Sequence, residues 1–222
     1  MTRYFFDTEF IEDGRTIDLI SIGIVSSDGR EYYAQSCEFD VNAANQWVWD
    51  NVYPHLQVCP YRPSAFGIAM VLTHHDGKCP LAAVTLYGTG DHENRCPWRT
   101  REQIRDDVLA FIDIEKHGTP EIWTYYGAYD WVAFCQIFGK MIDLPKGFPM
   151  YTRDIKQFCD MLGNPRLPEQ GKDEHNALAD ARHNKVMYEF LRKYAQELND
   201  HVARMLSNNK PAENFTQGVP QP

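Results

Sequence analysis

No stretch of this 222-residue sequence approaches the roughly 18 to 20 consecutive apolar residues that a membrane-spanning helix needs, so no membrane partner is expected. The opening, MTRYFFDTEF, lacks an apolar run behind a basic start. No secretory leader is therefore expected, and the protein is read as cytoplasmic. The six cysteines include no Cys-x2-Cys pair, and in a reducing compartment they read as free thiols, not a disulfide framework. Basic charge is scarce too: 22 Lys and Arg face 31 Asp and Glu, for a formal net charge of −9. A protein that grips long duplexes without specificity carries the opposite sign. The acidity leaves room for binding a single strand end, where metal ions would bring the positive charge to the phosphates. No internal repeat is present.

What is there is an ordinary folded composition, 43% hydrophobic and 24% charged, enough for one good-sized core. Three strand-like segments open the chain: Arg3 to Phe10, Thr16 to Ser26 and Arg30 to Ser36. The turn signals Glu12-Asp13-Gly14 and Ser27-Asp28-Gly29 lie between them. Such short turns favour antiparallel hairpins. Helices are expected over Asn42 to Tyr53, from an N-cap at Thr100 through Phe111, over Tyr129 to Phe138, Thr152 to Met161 and Asn176 to Leu198. A buried strand is expected over Glu121 to Tyr126. This order suggests an α/β domain with a mixed β-sheet. One domain over residues 1–206 is expected, with an insert at about 57–95 and a disordered tail over 207–222. Within the insert, Ile68 to Thr73 and Leu81 to Tyr87 flank His74-His75-Asp76-Gly77-Lys78, which suggests a small β-hairpin.

The chemistry is carried by acids. Asp7 and Glu9 flank Thr8 in the first strand, so their side chains share one face. A lone Asp-x-Glu at a strand end would simply face water. The neighbours Tyr4, Phe5, Phe6, Phe10 and Ile11 instead make this strand central and buried, where two adjacent carboxylates repel and need a shared cation. Asp130 follows an apolar strand and opens a helix, a place a carboxylate also takes as an ordinary N-terminal feature. Asp180 lies in the first turns of the last helix, on a stripe with Met187, Phe190, Leu191, Tyr194 and Leu198. His175, five residues earlier, falls on the preceding loop, from which its ring can overhang the same site.

Asp-x-Glu on a first strand, an Asp after a later strand and His-x4-Asp opening a final helix together resemble the DEDD exonucleases in their His-containing branch. The similarity is greatest to the small actinobacterial 3′→5′ exoribonucleases, through Tyr4 to Gly14, Asp18-Leu-Ile-Ser-Ile-Gly23, Gly127-Ala-Tyr-Asp130 and His175 to Asp180. The chain departs from many superfamily members at Tyr126, where they carry Asn, and in its insert.

The resemblance implies a ribonuclease H-like mixed β-sheet flanked by helices. It implies 3′→5′ hydrolysis of single-stranded RNA or RNA 3′ overhangs to nucleoside monophosphates, and it admits a homodimer; the competing readings are a DNA 3′→5′ exonuclease with the same site and a non-catalytic nucleic-acid-binding module that kept the fold. Two divalent ions, Mg2+ or Mn2+, fit a set of four carboxylates with no required thiol. Asp7 would bridge them, Glu9 and Asp180 would hold the ion nearer the attacking water, and Asp130 would serve the other. His175 would act as general base. Phe10 and Ile11, just after Glu9, are the candidates for packing on the terminal nucleotide. In the insert, Cys59, Cys79 and Cys96 share a short region with His74, His75 and His92. Structural zinc is one reading of them, and free thiols with surface histidines are the other.

Overall fold

The computed structural model describes residues 1–57 and 96–208. The insert hairpin and its histidines lie outside the described residues, as does the tail beyond Asn208. The first three strands are β1 (Arg3–Glu12), β2 (Ile17–Ser26) and β3 (Glu31–Ser36), joined as antiparallel neighbours. Gly14 and Gly29, at φ of 81° and 91°, make the two turns that link them. β4 (Trp98–Arg99) runs parallel to β3, β5 (Glu121–Thr124) parallel to β1, and β6 (Arg153–Asp154) parallel to β5. The sheet order is β4-β3-β2-β1-β5-β6.

Alternation along β1 divides the core. Tyr4 and Phe6 face one side, where α2 (Arg101–Ile112) and α4 (Ala128–Phe138) pack Ile104, Val108, Phe111, Trp131 and Phe134 against them. Phe5 faces the other side, under α5 (Ile155–Met161) and the long α6 (Ala177–Asn208), with Ile155, Met187, Tyr188 and Leu191. A third cluster joins Ile11, Ile20 and Trp98 to α1 (Gln46–Asn51) and its flanking turns. The four-residue α3 (Ile114–His117) follows α2 directly.

Several expected boundaries moved. The helix over 42–53 is broken into 3-10 turns at Val41–Ala43 and Tyr53–His55 around α1, because Asp40 and Asn45 each cap a new start and Pro54 interrupts the run. The strand from Glu121 stops at Thr124, because Tyr126 turns to φ 54°. The helix of 152–161 begins only at Ile155, behind its cap Asp154. α6 runs to Asn208, ten residues past the expected end and through the first two residues of the expected tail. Nothing in 199–208 breaks a helix, and Gln196 bonds Asp200 at 2.8 Å one turn on. Leu198, read as part of the buried stripe, is 43% exposed, so the buried face ends near Leu191.

Candidate active site

β5 pairs with β1 only from Arg3 to Phe5, so β1 runs on past the end of its parallel neighbour. The overhang exposes main-chain groups that no strand satisfies. Two helices supply the partners. Asn184 of α6 donates to the Phe6 carbonyl at 3.1 Å, and Asp130 of α4 accepts the Thr8 N–H at 2.8 Å. Asp7 and Glu9 lie on this stretch, beyond the carboxyl end of β5, where open α/β sheets form their ligand crevices.

Two glycines set the approach of those helices. A β-carbon on Gly23, paired with Asp7 across β1 and β2, would stand 2.3 Å from the Ala177 carbonyl oxygen. Only glycine lets the start of α6 reach the sheet and bring Asp180 over the acids. Gly127 plays the same part for α4, since a β-carbon there would stand 1.6 Å from Thr124 Oγ1.

All four acids meet there. Ligand atoms of Glu9, His175 and Asp180 lie within 4.8 Å of one another. Asp7 and Asp180 share with His175 a cavity of about 330 Å3, walled by Tyr125, Leu167, Pro168 and Gln170. Asp130 is anchored by Thr8, whose hydroxyl donates to it at 2.7 Å beside the N–H bond. Burial, then repulsion from Asp130, Glu9 and Asp180, pushes the Asp7 carboxyl well above the usual range. Glu9 is pushed well up by burial and by Asp180 and Asp130. Burial lifts Asp130 to about 6 against the bonds from Thr8, and raises Asp180 despite Gln170 and the His175 N–H. Among the described residues no Lys or Arg forms an ion pair with any of the four. Four carboxylates brought together without a Lys or Arg partner among the described residues are an oxygen-rich donor set, which suits a hard divalent cation.

His175 sits on the loop before α6 with φ at 67°. Its N–H donates to Asp180 Oδ2 at 3.0 Å, and Gln170 donates its amide to Oδ1 of the same carboxylate. The Trp47 ring stands edge-on to the imidazole, centroids 4.8 Å apart. At the other end of the motif, a bulge between Glu9 and Phe10 leaves Ile20 as the extra residue in β2. Ile11 is turned into the core at 3% exposure, so of the pair read as packing on a terminal nucleotide only Phe10 stays partly open, its ring 5.8 Å from Tyr129. Thr8, Gln170, Tyr125 and Trp47 were not legible in advance as parts of the site. Gly23, a glycine within a β-branched run, was the one local sign of a close backbone approach.

The mixed six-stranded sheet flanked by helices is that of a ribonuclease H-like α/β protein. The comparisons narrow this further. A family profile described as the 3′-5′ exoribonuclease Rv2179c-like domain matches residues 83–191, a span holding Asp130, His175 and Asp180. Two proteins of Mycobacterium tuberculosis are each 43% identical over 180 residues, 81% of this chain and 87% of theirs. They are named 3′-5′ exoribonuclease Rv2179c, from strain ATCC 25618 / H37Rv, and 3′-5′ exoribonuclease MT2234.1, from strain CDC 1551 / Oshkosh. The chain belongs to the Rv2179c-like 3′-5′ exoribonuclease family. Among the described residues no helix is long and apolar enough to cross a membrane.

Proposed function

We propose that this chain is a divalent-metal-dependent 3′→5′ exoribonuclease, releasing nucleoside 5′-monophosphates from single-stranded RNA or RNA 3′ overhangs. The observation that carries this reading is the convergence of Glu9, His175 and Asp180 within 4.8 Å beside Asp7 and Asp130, with no Lys or Arg ion-paired to these acids among the described residues. Asp7, Glu9, Asp130 and Asp180 would hold two ions, Mg2+ or Mn2+. Bound there, such ions supply positive charge to the attacking and leaving oxygens of the phosphodiester.

The remaining work belongs to the chain. His175, with its peptide tied to Asp180, takes the proton from the attacking water. Thr8 fixes the Asp130 carboxylate through two bonds, so that its free oxygen has one orientation. Phe10, partly open and braced by Tyr129, offers an apolar surface to the terminal nucleotide. A time course on matched end-labelled RNA and DNA strands, with and without Mn2+, tests the whole. Stepwise, Mn2+-dependent shortening of RNA from its 3′ end is expected. Equal or faster loss of DNA would move the assignment to a deoxyribonuclease, and Mn2+-independent cleavage would remove the metal site.

A further inference from the structure

Tyr126 combines three features that seldom coincide. Its φ is 54°, in the left-handed region that a bulky L side chain disfavours. The residue is 64% exposed, and its side-chain contact is with its neighbour Tyr125. Its ring lies 4.5 Å from that of Tyr125, tilted by 58°, and Tyr125 walls the cavity that holds Asp7, His175 and Asp180. The turn is held in place on both sides. The Tyr126 carbonyl accepts the Ala128 N–H at 2.9 Å, and Asp154 accepts the Gly127 N–H at 3.1 Å. Asn or Gly would make the same turn with less strain. An exposed, strained aromatic kept beside a reaction cavity calls for a role outside the fold's own packing.

We propose that Tyr126 is the stacking platform for the base on the 5′ side of the terminal nucleotide, an inference that rests on the RNA function proposed above. With the terminal nucleotide at the acids and against Phe10, a strand that leaves past Tyr125 meets the exposed ring of Tyr126. A flat ring facing solvent stacks on a base of any identity, as a non-specific exonuclease requires. The neighbouring Tyr125, through its ring and its hydroxyl, holds the Tyr126 ring in place.

The test compares wild type, Tyr126→Asn and Tyr126→Phe on two substrates with Mn2+. One is a single-stranded RNA oligonucleotide. The other is the p-nitrophenyl ester of a nucleoside 5′-monophosphate, which has no second base. In Tyr126→Asn the KM for RNA should rise about tenfold relative to the KM for the ester. The metal-free protein should at the same time melt at a higher temperature, because Asn accepts the left-handed turn more readily. Tyr126→Phe should keep the wild-type KM for RNA. Equal changes on both substrates, or a Tyr126→Phe as weak as Tyr126→Asn, would overturn the platform. A lower melting temperature in Tyr126→Asn would overturn the strain argument. Wild-type protein that hydrolyses the ester but not RNA would instead mark a failure of the RNA reading itself.

Discussion

His175 donates its main-chain N–H to Oδ2 of Asp180 at 3.0 Å while its own backbone sits at φ 67°. The carboxylate at the start of α6 thus does two jobs. It belongs to the acid set, and it holds the peptide from which the imidazole hangs. Asp180→Asn keeps an acceptor oxygen for that N–H, whereas Asp180→Ala removes it. Both should lose activity by about 10²- to 10³-fold. Only the alanine variant should also free the loop, read as faster amide hydrogen exchange at His175 and its neighbours. Full activity in either variant would contradict the assignment of Asp180.

Asp7 is held at a cost when no cation is present, because burial disfavours its charge and Asp130, Glu9 and Asp180 then repel it. Asp7→Asn should therefore abolish Mn2+-dependent hydrolysis and yet raise the melting temperature in EDTA by several degrees. Thermal melts with EDTA and with Mn2+ check it. A variant less stable than wild type in EDTA would mean that Asp7 has a structural partner.

The pH dependence has a definite sign. The Asp130 carboxyl is raised to about 6 in the folded chain from an ordinary 3.8. Its neutral form is the one the fold favours, so its contribution is fully present below about 3.8 and is lost as pH rises through about 6. Metal-free protein should lose stability across that window, and Mn2+, which binds the deprotonated acids, should reverse the slope. Asp13, Asp28 and Glu121 have lowered carboxyls and act in the opposite direction. The wild-type curve is therefore read against that of Asp130→Asn. Identical slopes in the two proteins would refute the shift.

Gly23→Ala should cost about 3 kcal/mol of stability through the collision with Ala177, and reduce activity by unseating Asp180. Gly14→Ala, with open space around it and φ at 81°, should cost only about 1 kcal/mol. Chemical denaturation of both variants measures the contrast. Comparable losses would mean that the close approach of α6 to β2 is not what Gly23 provides.

Thr8→Val keeps the N–H bond to Asp130 and removes the hydroxyl bond at 2.7 Å. Mn2+ affinity by calorimetry should fall about tenfold, the usual effect of losing an outer hydrogen bond to a ligand. Wild-type affinity in the variant would show that Asp130 needs no such orientation.

Much of the sheet's first half was legible because the aromatics of β1, the alternation and β-branching of β2 and the glycine turns beside them are local signals. β4 and β6 were not, since each is two residues long and exists only through its partner strand. The acids were legible as a set through the resemblance of their motifs to the DEDD exonucleases; the strand period alone placed only Asp7 and Glu9 on one face. The supports of the acids were not legible. Thr8 meets Asp130 across 122 positions of sequence and Asn184 meets Phe6 across 178, so no window of sequence contains either bond. The burial of the Ile11 side chain was not legible either, since its neighbours Ile20 and Trp98 come from β2 and β4.

The seating of α6 against Gly23 also has a consequence for timing. The polypeptide is made from its N-terminus. The first two acids therefore emerge early, while the last arrives with residue 180 and can dock only once the helix behind it exists. Until then the growing chain carries only part of the acid set, so on the function proposed above hydrolysis must wait for the C-terminal helix.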